Sequence, residues 1–106
     1  MNVKDSYYEI TYKELLNLRD NKEYILIDIR PRYEYEKGHI QGALSVPQYE
    51  LINSYNRLNK KKTYIFICQR GRNSRDVAIT LMKYGYNTIN LYKGMEAVDE
   101  YEEESN

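Results

Sequence analysis

Tyr64-Ile65-Phe66-Ile67-Cys68-Gln69-Arg70-Gly71-Arg72-Asn73-Ser74-Arg75 is the stretch on which the reading of this chain turns. Four apolar, β-prone residues make a strand with no polar face, as expected where both faces of a sheet are covered. The apolar run stops at Cys68, a turn containing Gly71 follows, and residues 74–84 read as a helix. Val77, Ala78, Leu81 and Met82 form its apolar face, and Gly85 breaks it. Strand, tight turn and helix start together make an anion cradle, because the first amides of a helix have no partner inside it. The partial positive charge of the helix N-terminus falls in the same place.

Working outward, the same alternation continues in both directions. Tyr24-Ile25-Leu26-Ile27 is a second apolar strand, ending in Asp28. Before it, Thr11-Tyr12-Lys13-Glu14 has the spacing of a capping box, with Leu15 and Leu18 following at helical intervals. After Pro31, residues 32–37 form a short helix stopped by Gly38. Residues 42–47 read as a short strand closed by Pro47, and residues 50–58 as a helix carrying Leu51, Tyr55 and Leu58. Beyond the Cys68 helix, residues 88–91 are a strand and residues 95–103 a last helix. Alternating strands and helices imply a mainly parallel sheet, and in such folds ligands bind beyond the carboxyl ends of the strands. Cys68 is placed there by pattern alone.

Composition narrows the function classes. A chain of 106 residues suits one domain, here residues 1–106 with a core from about residue 10 to 101 and frayed ends. Sixteen basic and sixteen acidic side chains cancel, so no global field draws in nucleic acid or a membrane, and function falls to a local site. Met1 to Ser6 lacks the apolar segment of a secretory leader, and no run approaches the roughly 20 apolar residues of a membrane helix. A cytoplasmic location is expected. One Cys excludes an internal disulfide and a Cys-rich metal site, and leaves Cys68 without a resolving partner in its own chain. Thirteen tyrosines against one Phe and no Trp read as a compositional bias that covers core edges.

A lone Cys after a strand is usually a small buried hydrophobe. The glycine turn, the helix start and Arg70, Arg72 and Arg75 argue instead for a thiolate, since thiols ionise more readily at helix N-termini and beside cations. A Cys-dependent phosphatase would place an Arg six positions after the nucleophile. That position is Ser74, and Arg75 comes one residue late for a bidentate phosphate clamp. Papain-like chemistry would pair Cys68 with His39, which the pattern puts before a different strand and reads as structural.

These blocks resemble a single-domain rhodanese over most of the chain. The match is carried by Leu26-Ile27-Asp28-Ile29-Arg30 with Glu34, by Gly38-His39-Ile40-Gln41-Gly42-Ala43 and by Cys68-Gln69-Arg70-Gly71-Arg72-Asn73-Ser74. Leu81, Gly85-Tyr86 and Leu91-Tyr92-Lys93-Gly94 complete it. The resemblance implies an α/β fold with a five-stranded, mainly parallel sheet and helices on both faces. It implies a sulfurtransferase in which Cys68 takes sulfane sulfur from a donor such as thiosulfate and passes it to cyanide, a thiol or a sulfur-relay protein. Residues 69–74 would cradle the persulfide, Arg75 is a further anion-binding candidate, and Asp28, Arg30, Glu34 and His39 are carried over as structural support. No cofactor, metal, nucleic acid or membrane is implied. A binding or redox-sensing module without turnover is the alternative reading.

The chain departs from the family pattern at three points. Asn73 stands where an Arg is common, which weakens the expectation of thiosulfate as donor. Met95 replaces a second glycine after Gly94, and no Trp lies near Val98, which predicts looser packing of the last helix.

Overall fold

The computed structural model describes residues 7–105. The polar stretch Met1 to Ser6, on which the expectation of no secretory leader rests, lies outside the described residues. The elements are β1 (Tyr8–Ile10), α1 (Tyr12–Leu18), β2 (Tyr24–Asp28), α2 (Arg32–Lys37), β3 (Leu44–Ser45) and α3 (Gln48–Ser54). A 3-10 turn (Tyr55–Arg57), β4 (Thr63–Ile67), α4 (Asn73–Lys83), β5 (Asn87–Leu91) and α5 (Met95–Ser105) follow. The strands form one sheet in the order β1-β5-β4-β2-β3, with every pairing parallel. This is the five-stranded α/β architecture expected.

Local sequence explains the element ends. Thr11 accepts from the Glu14 amide while the Glu14 carboxylate accepts from the Thr11 amide, so the capping box that opens α1 is fully formed. Pro31 and Pro47 occupy the N-cap positions of α2 and α3, where a missing N–H leaves nothing unpaired. That places the start of α3 at Gln48, two residues ahead of the expected position, and its regular turns stop at Ser54. The strand expected over residues 42–47 is reduced to Leu44 and Ser45 at the sheet's edge.

Both central strands are buried on both faces. Ile27, Tyr64 and Phe66 point to one side, against Leu51 of α3 and Val77, Ala78 and Leu81 of α4. Leu26, Ile65 and Ile67 point to the other, against Leu15 of α1 and Met95 and Val98 of α5. Two apolar layers around one sheet explain why these strands carry no polar alternation. Met95 and Val98, where looser packing was expected, are both buried. Among the described residues no helix is long and apolar enough to cross a membrane, and no cluster of His, Cys, Asp and Glu could hold a metal.

Candidate functional site

Cys68 follows the last residue of β4, which lies mid-sheet between β5 and β2. Its side chain shares the layer of Tyr64 and Phe66 and is 6% exposed. The sulfur accepts the amide of Gly71 at 3.1 Å and that of Ser74 at 3.3 Å, with Ser74 Oγ also at 3.1 Å. Arg72, at the N-cap position of α4, makes no side-chain cap. Cys68 Sγ takes the early helical amide that a capping oxygen would ordinarily take, which puts the sulfur at the positive end of the helix.

A second backbone segment holds the loop from behind. Met95 N donates to Cys68 O at 2.9 Å and Glu96 N to Gln69 O at 3.1 Å, so the first amides of α5 grip the start of the cradle. Gly71 has φ +79°, and a Cβ there would lie 2.7 Å from Lys93 N. The loop and the Lys93–Gly94 turn therefore meet backbone to backbone, a contact that requires glycine on the loop side.

In front, Cys68 opens onto a cavity of about 490 Å³, walled among others by Arg30, Glu34, Tyr49, Ile52, Gln69 and Asn73. Arg30 is buried and donates to both Asp28 carboxylate oxygens, with Nη2 reaching Asp28 Oδ2 at 2.8 Å and Gly38 O at 2.7 Å. Its charge is thus compensated within the wall. Glu34 adds a carboxylate.

The structure brings Cys68, Gln69, Asn73, Arg30 and Glu34 to one cavity, with Gly71 and Ser74 behind the sulfur. Arg70, Arg72 and Arg75 are exposed and none lines that cavity; Arg70 pairs with Glu96 at 3.5 Å. The cations counted as neighbours of the thiol from sequence thus lie outside it, because a loop that turns its amides inward turns the intervening side chains outward. His39 is exposed, stacks on Tyr35 with ring centres 3.7 Å apart and places Nδ1 2.9 Å from Tyr35 O. It lines a neighbouring groove and not the Cys68 cavity, so no Cys–His pair forms.

Sequence reasoning passed over Asn90 and Glu9. Asn90, wholly buried on β5, contacts Ser74, Gly71 and Glu9. The signal was present: Thr88 and Asn90 alternate with Ile89 and Leu91 in a strand that another strand covers on each side. Polar residues in such a position must find partners inside the protein.

The Rhodanese-like domain family model matches residues 11–101. YtwF of Bacillus subtilis (strain 168), which carries a sulfurtransferase name, is 34% identical over 77 residues, or 73% of this chain and 75% of YtwF. YrkF of the same strain, named as a sulfur carrier protein, is 38% identical over 71 residues, covering 66% of this chain and 38% of YrkF. The tRNA sulfurtransferase of Pyrobaculum aerophilum is 32% identical over 74 residues, and the matched region is only 15% of that protein. The chain therefore spans well under two thirds of those last two relatives. Among solved structures, a rhodanese-related protein from Thermoplasma volcanium superposes with a TM-score of 0.79 at 26% identity, covering 89% of this chain and 93% of that one. A rhodanese-like domain protein from Staphylococcus aureus gives 0.77 at 30% identity, covering 85% and 89%.

Proposed function

The chain belongs to the rhodanese-like domain family, and from that premise we propose that it is a sulfurtransferase whose Cys68 carries sulfur as a persulfide. The observation that carries the reading is the pair of amides, Gly71 and Ser74, directed at Cys68 Sγ from the start of a helix. Such donors favour an anionic sulfur without a separate general base. The thiolate attacks the outer sulfur of a donor. One S–S bond forms as the donor's breaks, and the electron pair leaves on sulfite or on a thiolate. An acceptor nucleophile then attacks the outer sulfur of the persulfide and returns Cys68 as thiolate. No external oxidant or cofactor enters the balance.

The cavity wall bears on the choice of donor. Arg30 is neutralised by Asp28, Glu34 is acidic, and Asn73 brings no charge. A dianion such as thiosulfate gains little there, so a thiol persulfide is the better-matched donor. Tyr49 and Ile52, 69% and 58% exposed at the rim, support an acceptor with apolar surface of its own, such as a thiol on a sulfur-relay protein. A cytoplasmic, reducing setting suits a thiolate with no resolving cysteine.

The test is to incubate the protein with thiosulfate, polysulfide or a thiol persulfide and weigh it intact. One added sulfur atom is expected, lost on adding cyanide and absent from Cys68→Ala. No adduct with any of the three donors, or turnover of an aryl phosphate in their place, sinks the reading.

A further inference from the structure

Behind the sulfur, away from the cavity, runs a line of buried polar groups. Ser74 Oγ stands 3.1 Å from Cys68 Sγ and in hydrogen-bond contact with Asn90 Oδ1. The Asn90 amide nitrogen faces two groups that only accept, Gly71 O at 3.0 Å and Glu9 Oε2 at 2.7 Å. Those partners fix which way the side-chain amide points, since neither a carbonyl nor a carboxylate donates to an amide oxygen. Oδ1 therefore faces Ser74, and the contact between the two oxygens must contain the serine proton. A hydroxyl has only one. Committed to Asn90, it leaves Ser74 presenting a lone pair to the sulfur.

A thiol suits this arrangement by donating S–H to Ser74 Oγ. A thiolate does not: to assist it, the hydroxyl must rotate and strand Asn90 Oδ1, a fully buried acceptor, without a donor. We propose that Asn90 is a positioning residue for Cys68, competing with the sulfur for Ser74's single proton so that two amides, not three donors, hold the free thiolate. Glu9 on β1 keeps the Asn90 amide turned that way. The inference rests on the proposed function and deepens it. A thiolate held by fewer donors stays the stronger nucleophile toward a sulfane sulfur. The persulfide, whose charge sits on its outer sulfur, needs nothing from Ser74.

One charged group, Glu9, loses its hydrogen bond when Asn90 changes, and the others on the surrounding elements make no hydrogen bond to Asn90. On one side stand Arg30 and Glu34 in the cavity wall and the exposed Arg32–Glu50 pair. On the other are the Arg70–Glu96 pair and the exposed Arg72, Arg75 and Asp76 of the loop and α4. Glu9 lies at the far end of Asn90.

The experiment is the pH profile of Cys68 alkylation by iodoacetamide in the wild type, Asn90→Leu, Ser74→Ala and the double variant. In Asn90→Leu the midpoint should fall by about one unit, the worth of one hydrogen bond to an anion, because Ser74 is then free to serve the sulfur. In the Ser74→Ala background the same substitution should move nothing. A midpoint that rises or stays put in Asn90→Leu, or a shift that survives without Ser74, overturns the competition. Alkylation reads the thiol alone, so this outcome is separate from sulfur loading, whose failure would sink the proposed function instead. Where Asn90→Leu does not fold, NMR of the wild-type Asn90 side-chain amide through the Cys68 titration replaces it. With Ser74 still donating to Oδ1, that amide should hold its position across the midpoint, and a resonance that moves as the thiolate forms, marking the hydroxyl's turn to the sulfur, overturns the proposal.

Discussion

Gly94 and Cys68 are in backbone contact: a Cβ on Gly94 would lie 2.0 Å from the Cys68 carbonyl oxygen. The φ of +55° at Gly94 is itself unfavourable for a side chain. Gly94→Ala should therefore lose at least about 1–2 kcal/mol of stability from the backbone alone. It should also push the cradle off the sulfur's position. A displacement of that kind lowers turnover on the order of 100-fold. Gly38→Ala is the control, since its Cβ meets open space. Thermal melts and persulfide-loading rates for the two variants decide the matter. Equal behaviour would falsify the view that the Lys93–Gly94 turn pins the loop.

The Asp28–Arg30 pair is the buried ion pair beside the cavity, with Asp28 fully enclosed and Arg30 7% exposed. Removing one member of such a pair leaves the other charge uncompensated and costs about 3–5 kcal/mol. Asp28→Asn should lower the unfolding free energy by that amount, read as a fall in the urea midpoint at unchanged slope. The exposed Arg32–Glu50 pair is the comparison, and Glu50→Gln should change stability by no more than about 1 kcal/mol. Similar losses in the two variants would remove Asp28 as the anchor of Arg30.

Acid should open α1 through its cap. The Glu14 carboxyl is held below its ordinary value of 4.5, first by the Thr11 amide and next by the Thr11 hydroxyl. A depressed carboxylate contributes stability that is complete above its unfolded value and fades as pH falls through the lower folded value. The window thus runs downward from about pH 4.5. An NMR titration of Glu14 should show the depressed midpoint, and Thr11→Ala should raise it part of the way while the amide bond persists. A midpoint indifferent to Thr11 would rule out the cap as its cause.

The legible parts of this fold were those whose pattern is local. The β2 and β4 runs were readable because both faces are buried and no polar residue interrupts them. The α1 cap was readable because Thr11 and Glu14 lie three residues apart. β1 was missed: three residues with Tyr8 and Glu9 exposed carry no strand signal, and only pairing with β5 makes them one. At the site, the strand end and the glycine turn located Cys68, but side-chain direction was hidden. Three arginines within seven residues of the thiol point elsewhere, whereas Arg30, thirty-eight positions away, shares its cavity. Asn90 reaches Glu9 across 81 residues of sequence, a relationship only the sheet order creates.

Asn73 offers the sharpest test of donor choice. It lies in the cavity wall where the family pattern commonly carries an arginine, and the wall's own arginine is already engaged by Asp28. Thiosulfate brings two negative charges and meets Glu34 as well as the amide cradle. A thiol persulfide brings one charge, at the sulfur that is transferred. The natural protein should therefore load faster from a thiol persulfide than from thiosulfate at equal concentration. Asn73→Arg adds an uncompensated guanidinium, a planar donor suited to oxyanions. It should raise kcat/KM for thiosulfate by about tenfold, the equivalent of one charge-assisted bond, and leave the thiol persulfide rate nearly unchanged. The gain should shrink with salt, since the cavity is open to solvent ions. Equal gains for both donors would mean that Asn73→Arg acts on the sulfur itself, and the wall would then have no say in which donor is used.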